Sequence, residues 1–390
     1  MKETAAKILY LMEYPIDLPG GAQESTKTLC TGLAASGEFA PVVACPDLLA
    51  SSPGDYPFEI VTYHSDENRE LSKARRLANF FSRIGSFYRI IKHVKPDIIH
   101  VSMSESLITF GFLRVPGFFS DIPFVYTDRG LCTGYRKHSL ACIKAAAKRA
   151  ERFIVTTGYN GGLWARKIDA PITVIPNTIS GAFSEFDHEG RAAARAEYGI
   201  EDDEIVIGFA GRISEEKDWP HVPDVVEAAK KSGVRLKAAV VMSLYEERDE
   251  AISESVRDRI ASLIGSENLI YMQDLDQKGM SRFYYLVDIF IMTSCFESFG
   301  KAAVEAMSRK CAILSTAVGG LPEVIGNPED LYDMNGLGKV TERIRQLADD
   351  PELLSAEREM FYRRYRDNYT ADKNIESHAK VYRELLSGRR

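Results

Sequence analysis

No stretch of this sequence approaches the roughly 18 consecutive apolar residues that a membrane-crossing helix needs. None of the six cysteines, Cys30, Cys45, Cys132, Cys142, Cys295 and Cys311, forms a C-x-x-C pair, and their spacing is irregular. That pattern argues against a disulfide framework and reads as free thiols in a reducing cytosol. Histidine is scarce, with seven in 390 residues. None has metal-ligand spacing, so no metal site is expected. The start, MKETAAKILYLMEYP, runs directly into a strand-like segment flanked by Glu3 and Glu13, with no small-residue cleavage site after it. No signal peptide is read there, and a cytoplasmic location is expected. A basic excess is also missing. The net charge is −7, which makes nucleic acid a poor partner. Internal repeats and low-complexity tracts are absent.

The chain has 45% hydrophobic and 27% charged residues, a globular balance. Its 390 residues exceed one ordinary core and predict two domains. Charge divides unevenly, with a net of +4 over residues 1–180 and −11 over the remainder. A domain boundary near the middle accounts for that asymmetry. In the first half, apolar runs at 7–13, 41–46, 96–102, 123–128, 152–157 and 172–177 read as strands, with helices at 23–35 and about 71–94. In the second half, strands are expected at 204–211, 236–242, 268–273, 288–294 and 311–316, with helical stretches such as 221–232 and 281–287 between them. The polar, Gly-containing segment 180–190 reads as the linker. Strands alternating with helices imply parallel sheets covered on both faces. The expected fold class is therefore α/β, with two doubly wound, Rossmann-like domains facing across a cleft. Ligands in such sheets bind at the carboxyl ends of the strands.

Four strand-end segments carry candidate chemistry. Gly20-Gly21 follows the first strand, where glycines let backbone N–H groups approach a phosphate at a helix start; a simple turn fits equally well. GRISEEK (211–217) puts Arg212 and Lys217 in one loop. Two fixed cations there stabilise charge growing on a diphosphate leaving group, while a solvated Arg and Lys beside Glu215 and Glu216 is the bland alternative. ESFGKAAVE (297–305) is the strongest signal. Glu297 lies just past a strand, Phe299-Gly300 turns the chain into a helix, and Glu305 lies two turns in. The N–H groups of Gly300, Lys301 and Ala302 suit a phosphate, and two carboxylates suit polyol hydroxyls. A helix with an acidic start is the other reading of that spacing. AVGGLPEVI (317–325) forms a further tight loop at Gly319-Gly320, with Pro322 able to start a helix.

Taken together, Gly20-Gly21, Arg212…Lys217, Glu297…Glu305 and Gly319-Gly320 resemble the retaining GT-B glycosyltransferases of family 4, the glycosyl transferases group 1. Order, spacing and strand-end placement match over essentially the whole chain. The resemblance implies an acceptor-binding domain at 1–182 and a nucleotide-sugar-binding domain at 183–372. A C-terminal helix at 373–390 would cross back to the first domain, and IPNTIS (175–180) with Asn177 matches the family's segment before the linker. It implies a hexosyltransferase moving a hexose or N-acetylhexosamine from a nucleotide-diphosphate sugar, with UDP the expected nucleotide. The acceptor would be a glycan, a lipid-linked molecule or a small molecule, and no metal or other cofactor is needed. Arg212 and Lys217 would hold the diphosphate, Glu297 the transferred sugar and Glu305 the ribose. Gly21 would approach the phosphate from the first domain, and Gln273 and Asp274 would flank the base.

Three positions depart from the family pattern. A His is usual after the fourth strand of the first domain; here YTDRGL supplies Asp128 and Arg129, and Asp128 is the candidate catalytic group on that side. Lys301 stands where an aliphatic residue is usual, and Gln273 where a Gly is. In the retaining mechanism the departing phosphate oxygen takes the acceptor proton, so no protein nucleophile is required. A nucleotide-sugar epimerase, a sugar phosphorylase and a catalytically silent partner subunit remain alternatives on the same architecture.

Residues 71–95 hold seven Lys and Arg and no Asp or Glu, interleaved with Phe80, Phe81, Phe87 and Tyr88. Residues 129–152 hold seven more against one acid. Such a basic amphipathic segment can rest on an anionic membrane. The alternative is that the aromatics are core and the cations solvated.

Overall fold

The computed structural model describes residues 5–65, 72–183 and 185–388. Glu3, residue 71 at the head of the expected basic helix, residue 184 in the expected linker, and residues 389–390 of the expected C-terminal helix lie outside the described residues. The chain divides into two compact units, Met1–Thr178 with Ala371–Arg390, and Ile179–Thr370.

The first unit is a seven-stranded parallel sheet. Its elements run β1 (Ala6–Leu11), α1 (Gly21–Ser36), β2 (Phe39–Pro46), β3 (Glu59–Tyr63), α2 (Lys73–Val94), β4 (Ile98–Ser102), α3 (Ser104–Arg114), β5 (Phe124–Asp128), α4 (Lys137–Ala147), β6 (Arg152–Val155), α5 (Gly158–Ala165) and β7 (Ile172–Val174). The spatial order is β3-β2-β1-β4-β5-β6-β7, so the winding reverses between β1 and β4. Strands buried on both faces need apolar residues at every position, and Ile8 to Met12 and Val42 to Cys45 are all buried. One face of the sheet packs against α2, α3, α4 and Trp164 of α5.

The second unit holds α6 (His188–Glu197), β8 (Ile205–Arg212), α7 (Val222–Lys230), β9 (Leu236–Ser243), α8 (Glu247–Ile264), β10 (Leu269–Gln273), α9 (Gln277–Leu286), β11 (Ile289–Met292), α10 (Lys301–Ser308), β12 (Ala312–Thr316), α11 (Leu321–Ile325), β13 (Leu331–Tyr332), α12 (Leu337–Asp349) and α13 (Pro351–Asn368). Its parallel sheet has the order β10-β9-β8-β11-β12-β13, and the winding reverses between β8 and β11. Asp288, just before β11, accepts from Arg191 (2.7 Å) and Arg195 (2.9 Å) and from the N–H of Val206 (3.0 Å). This buried carboxylate ties α6 to the sheet.

The last helix, α14 (Ala371–Ser387), packs with α1 on the other face of the first sheet. Its Tyr382 hydroxyl meets Tyr10 Oη (2.7 Å) and His100 Nδ1 (2.5 Å) in the interior. Burial pushes the His100 imidazole well below the ordinary histidine value, so it stays neutral there. Strand β3 was not among the expected strands, although EIVTY is rich in β-branched residues, and β7 stops at Val174, short of the expected 177. Pro176 has no N–H to continue that ladder.

Candidate active site

In open α/β sheets the point where strand order reverses opens a crevice at the carboxyl ends. In the second unit that point lies between β8 and β11. The loop after β8 is a short 3₁₀ turn, Glu215–Lys217, and it is tied to the loop after β11 by three bonds. Thr293 Oγ1 donates to Lys217 O (2.9 Å), the Cys295 N–H to Glu216 O (2.9 Å), and the Cys295 thiol to Glu215 O (3.3 Å). Trp219 is buried and donates from Nε1 to Arg212 O (2.8 Å). The N–H of Gly320, from the loop after β12, donates to Glu297 O (3.0 Å). Three strand-end loops thus form one connected rim.

On that rim Lys217 Nζ donates to Glu297 Oε2 at 2.6 Å, with the two side chains 23% and 16% exposed. The other carboxylate oxygen, Oε1, accepts from the N–H groups of Ser298 (3.1 Å) and Phe299 (3.5 Å). Burial pushes the Glu297 carboxyl up, but the Lys217 ammonium and the backbone N–H groups of Phe299 and Gly300 outweigh it, and the group is held below the ordinary glutamate value. Gly300 makes this turn possible. Its φ is 90°, and a Cβ there would come within 2.5 Å of Leu321 Cδ2. A side chain would be strained on both counts. Phe299 is buried, against Tyr369. Helix α10 starts at Lys301, with Ala302 next.

Arg212 ends β8 with its side chain exposed beside this rim. Glu305 is 8% exposed; it accepts from the Tyr284 hydroxyl (3.2 Å) and lies 4.0 Å from Lys301 Nζ. Lys301 therefore serves partly as its counter-ion. Gln273 and Asp274 are at the end of β10, on the sheet edge and two strands from β8. Gln273 Nε2 donates to Ser253 Oγ (3.1 Å) and Tyr271 Oη (2.7 Å), and Asp274 Oδ1 accepts from the Leu244 N–H (2.9 Å). Both side chains clamp neighbouring segments of the second unit.

In the first unit Gly20 has φ 170° and caps α1, which begins at Gly21. That φ is extended backbone open to any residue, so no glycine-only conformation is needed at position 20. At the reversal point between β1 and β4 a different group stands out. Glu13, 7% exposed, accepts at Oε2 from the N–H groups of Glu105 (2.8 Å) and Ser106 (3.3 Å) at the start of α3. Burial, reinforced by the Glu105 charge, raises its carboxyl to about 7. Asp128 is fully buried at the end of β5. It accepts from Tyr135 Oη (2.6 Å), Trp164 Nε1 (2.6 Å), Asn160 Nδ2 (3.1 Å) and Tyr126 Oη (3.3 Å). Four donors fill a carboxylate's usual acceptor positions, so Asp128 would have to release one to touch a substrate.

The rim thus unites Arg212, Lys217, Glu297 and the start of α10, while Glu305, Gln273, Asp274 and Asp128 each have protein partners. Reading the sequence missed Thr293, Cys295 and Trp219, which hold the rim, and treated Glu13 only as a flanking charge. No local pattern marks the first three. A Glu ending a buried strand was the available signal for Glu13. Among the described residues no group of three or more His, Cys, Asp or Glu could hold a metal ion, and no helix is long and apolar enough to cross a membrane.

The model of the glycosyl transferases group 1 matches residues 190–367, and that of glycosyltransferase family 4 matches residues 19–181. Between them the two cover most of both units, and the chain belongs to the group 1 glycosyltransferases. A D-inositol 3-phosphate glycosyltransferase of Streptomyces avermitilis is 27% identical over 222 residues, 52% of this chain and 44% of that protein. Its counterpart from Mycobacteroides abscessus is 29% identical over 161 residues, 41% of this chain and 34% of that protein. The chain thus spans less than half the length of these curated relatives. Sucrose-phosphate synthase from Thermosynechococcus elongatus has a similar structure, with a TM-score of 0.83 at 16% identity over 98% of this chain and 100% of that one. Anabaena HepE, solved in complex with UDP and glucose, gives 0.78 at 14% identity over 97% and 100%. The fold is GT-B, two Rossmann-like domains.

Proposed function

We propose that this chain is a hexosyltransferase that moves a sugar from a nucleoside diphosphate, UDP being the first choice, to an acceptor hydroxyl with retention of configuration. The observation that carries this reading is the Lys217–Glu297 pair at 2.6 Å, set beside Arg212 at the strand-order reversal of the second unit. A cation and a carboxylate joined on one rim suit a donor with two chemistries. Lys217 and Arg212 neutralise the diphosphate as its bond to the sugar breaks, and the ionised Glu297 accepts hydrogen bonds from sugar hydroxyls. The Lys301 and Ala302 N–H groups at the head of α10 add positive potential at the phosphate. Glu305, held by Tyr284 and Lys301, would grip the ribose, and Gln273 and Asp274 would border the base.

As the C1–O bond to the diphosphate lengthens, the acceptor oxygen bonds to C1 on the same face. Its proton passes to the departing phosphate oxygen, and neither a metal nor a protein nucleophile takes part. Catalysis then rests on positioning and charge stabilisation. Asp128 in this scheme acts by holding the end of β5. The relatives named for inositol 3-phosphate favour a small polyol phosphate as the first acceptor to try, ahead of glycans and lipid-linked acceptors.

The test is thermal stabilisation by UDP, GDP, ADP, CDP and their sugars without added metal, followed by transfer of labelled sugar. Ligand at 100 times Kd stabilises by about 2.7 kcal/mol, a readable melting shift. Arg212→Ala should abolish the shift at that concentration and lower turnover at least ~100-fold. No shift with any nucleotide would turn the reading to a catalytically silent subunit.

A further inference from the structure

Part of the basic charge of the first unit and five of its exposed apolar residues lie on the same α2–α3–α4 layer. Residues 72–152 hold fifteen Lys and Arg against five Asp and Glu, within a chain of net charge −7. Helices α2, α3 and α4 lie side by side over one face of the sheet. Ten large hydrophobics are exposed among the described residues, and five of them, Leu77, Phe81, Phe112, Val115 and Phe118, lie on α2, α3 and the loop after α3. They are joined by half-buried rings. Phe80 packs edge-on against Phe81 (5.8 Å) and Phe112 (5.2 Å), and Tyr88 against Phe118 (5.3 Å). Of the aromatic residues in the basic helix, only Phe87 is fully core.

The loop after α3 is held in this shape from within. Arg114, 7% exposed, donates from Nη1 to the carbonyls of Phe119 and Ile122 (2.9 Å to the latter). Val115, 70% exposed, and Phe118, 46% exposed, are left pointing outward by a buried charge. Exposed Arg75, Arg89 and Lys92 on α2, and Lys137 and Lys148 on and after α4, flank the apolar patch. Ion pairs within 72–152 among the described residues are Arg83–Glu105, Arg114–Glu151 and Arg152–Glu384, and none uses those five cations. A monomer gains nothing by exposing aromatics between unpaired cations.

We propose that this α2–α3–α4 face seats the protein on an anionic phospholipid surface. The cations would lie at the headgroups, and Leu77, Phe81, Phe112, Val115 and Phe118 would enter the acyl boundary. Charge complementarity selects the occupant: an apolar protein partner would not call for five flanking cations, whereas a negatively charged leaflet attracts each of them. The attachment uses no donor-site residue, so it stands or falls separately from sugar transfer.

The experiment is flotation of the full chain with vesicles of phosphatidylcholine alone or mixed with phosphatidylglycerol, at low and high salt. The expected result is binding to the anionic vesicles only, weakened by salt. Lys92→Glu or Arg75→Glu should weaken it at least about fivefold each, the effect of one such cation, and the pair Phe81→Ser with Phe118→Ser should abolish it. These residues are exposed, so an unchanged melting curve and nucleotide-induced shift would confirm that the variants fold. Equal binding to neutral vesicles, no binding to anionic ones, or self-association of the free protein that the Phe variants abolish would each overturn the proposal.

Discussion

The two sheets use one device at their reversal points and shift its carboxyl in opposite directions. In the first unit the Glu13 carboxylate accepts from two N–H groups at the start of α3; in the second, Glu297 accepts from two in the turn before α10. Both are at strand ends and mostly buried. The difference is one cation. Lys217 reaches Glu297 at 2.6 Å, while the nearest candidate in the first unit, Arg83, is engaged by Glu105 (3.2 Å) and Thr109 (3.0 Å). Glu13 is therefore raised to about 7 and Glu297 is held low. Helix-start N–H groups alone do not keep a buried carboxylate ionised; a neighbouring ammonium does. Asp128, at the end of β5, is likewise buried, among four hydrogen-bond donors and with no cation bonded to it.

The contrast can be broken from either side. The largest effect expected is on Asp128, whose buried carboxylate serves four donors. Asp128→Ala should cost about 4 kcal/mol, since each stranded donor is worth ~1–3. Urea unfolding measures this, and nucleotide binding by the residual folded protein should be unchanged. Glu13 comes next. Its folded value of about 7 exceeds its ordinary 4.5, so the folded state holds the extra proton between those values. Its contribution is most favourable below pH 4.5 and is lost as pH rises towards 7. Glu13→Gln should remove that loss, a relative gain of roughly 3 kcal/mol by pH 7, read from unfolding midpoints across that range.

Lys217→Met makes the second unit resemble the first. Glu297 loses its counter-ion, its pKa rises, and turnover should fall about 100-fold. An unchanged rate would mean the pair is structural. The Glu297 contribution to stability should fall with rising pH in this variant, where in the parent it does not, because the folded state now favours the protonated acid. The smallest effect belongs to Gly20→Ala. With an extended φ and only the end of the Gln23 side chain in the way, the cost should stay under about 1 kcal/mol, the scale of a lost N-cap preference. A larger stability loss in thermal melts would show that backbone approach at that loop is tighter than its geometry implies.

Much of this was written locally. Parallel strands buried on both faces must be continuous apolar runs, so most could be read directly, and β3 was passed over because Glu59 and Thr62 interrupt it. The Glu297–Gly300 turn was legible because a glycine and an acid at a strand-to-helix junction act over a few residues. By itself the sequence determined the two α/β halves, their charge imbalance, the basic aromatic stretch and which strand ends carry cations and acids. Only the tertiary structure decided what those groups do. Lys217 meets Glu297 across 80 positions, and Asp128 meets Asn160 and Trp164 across 32 and 36. Phe87 went to the core while Phe81 stayed at the surface, though both lie in one basic run. Periodicity reports a residue's own element. Burial and ionisation depend on which other element packs against it, and that is a long-range property of the fold.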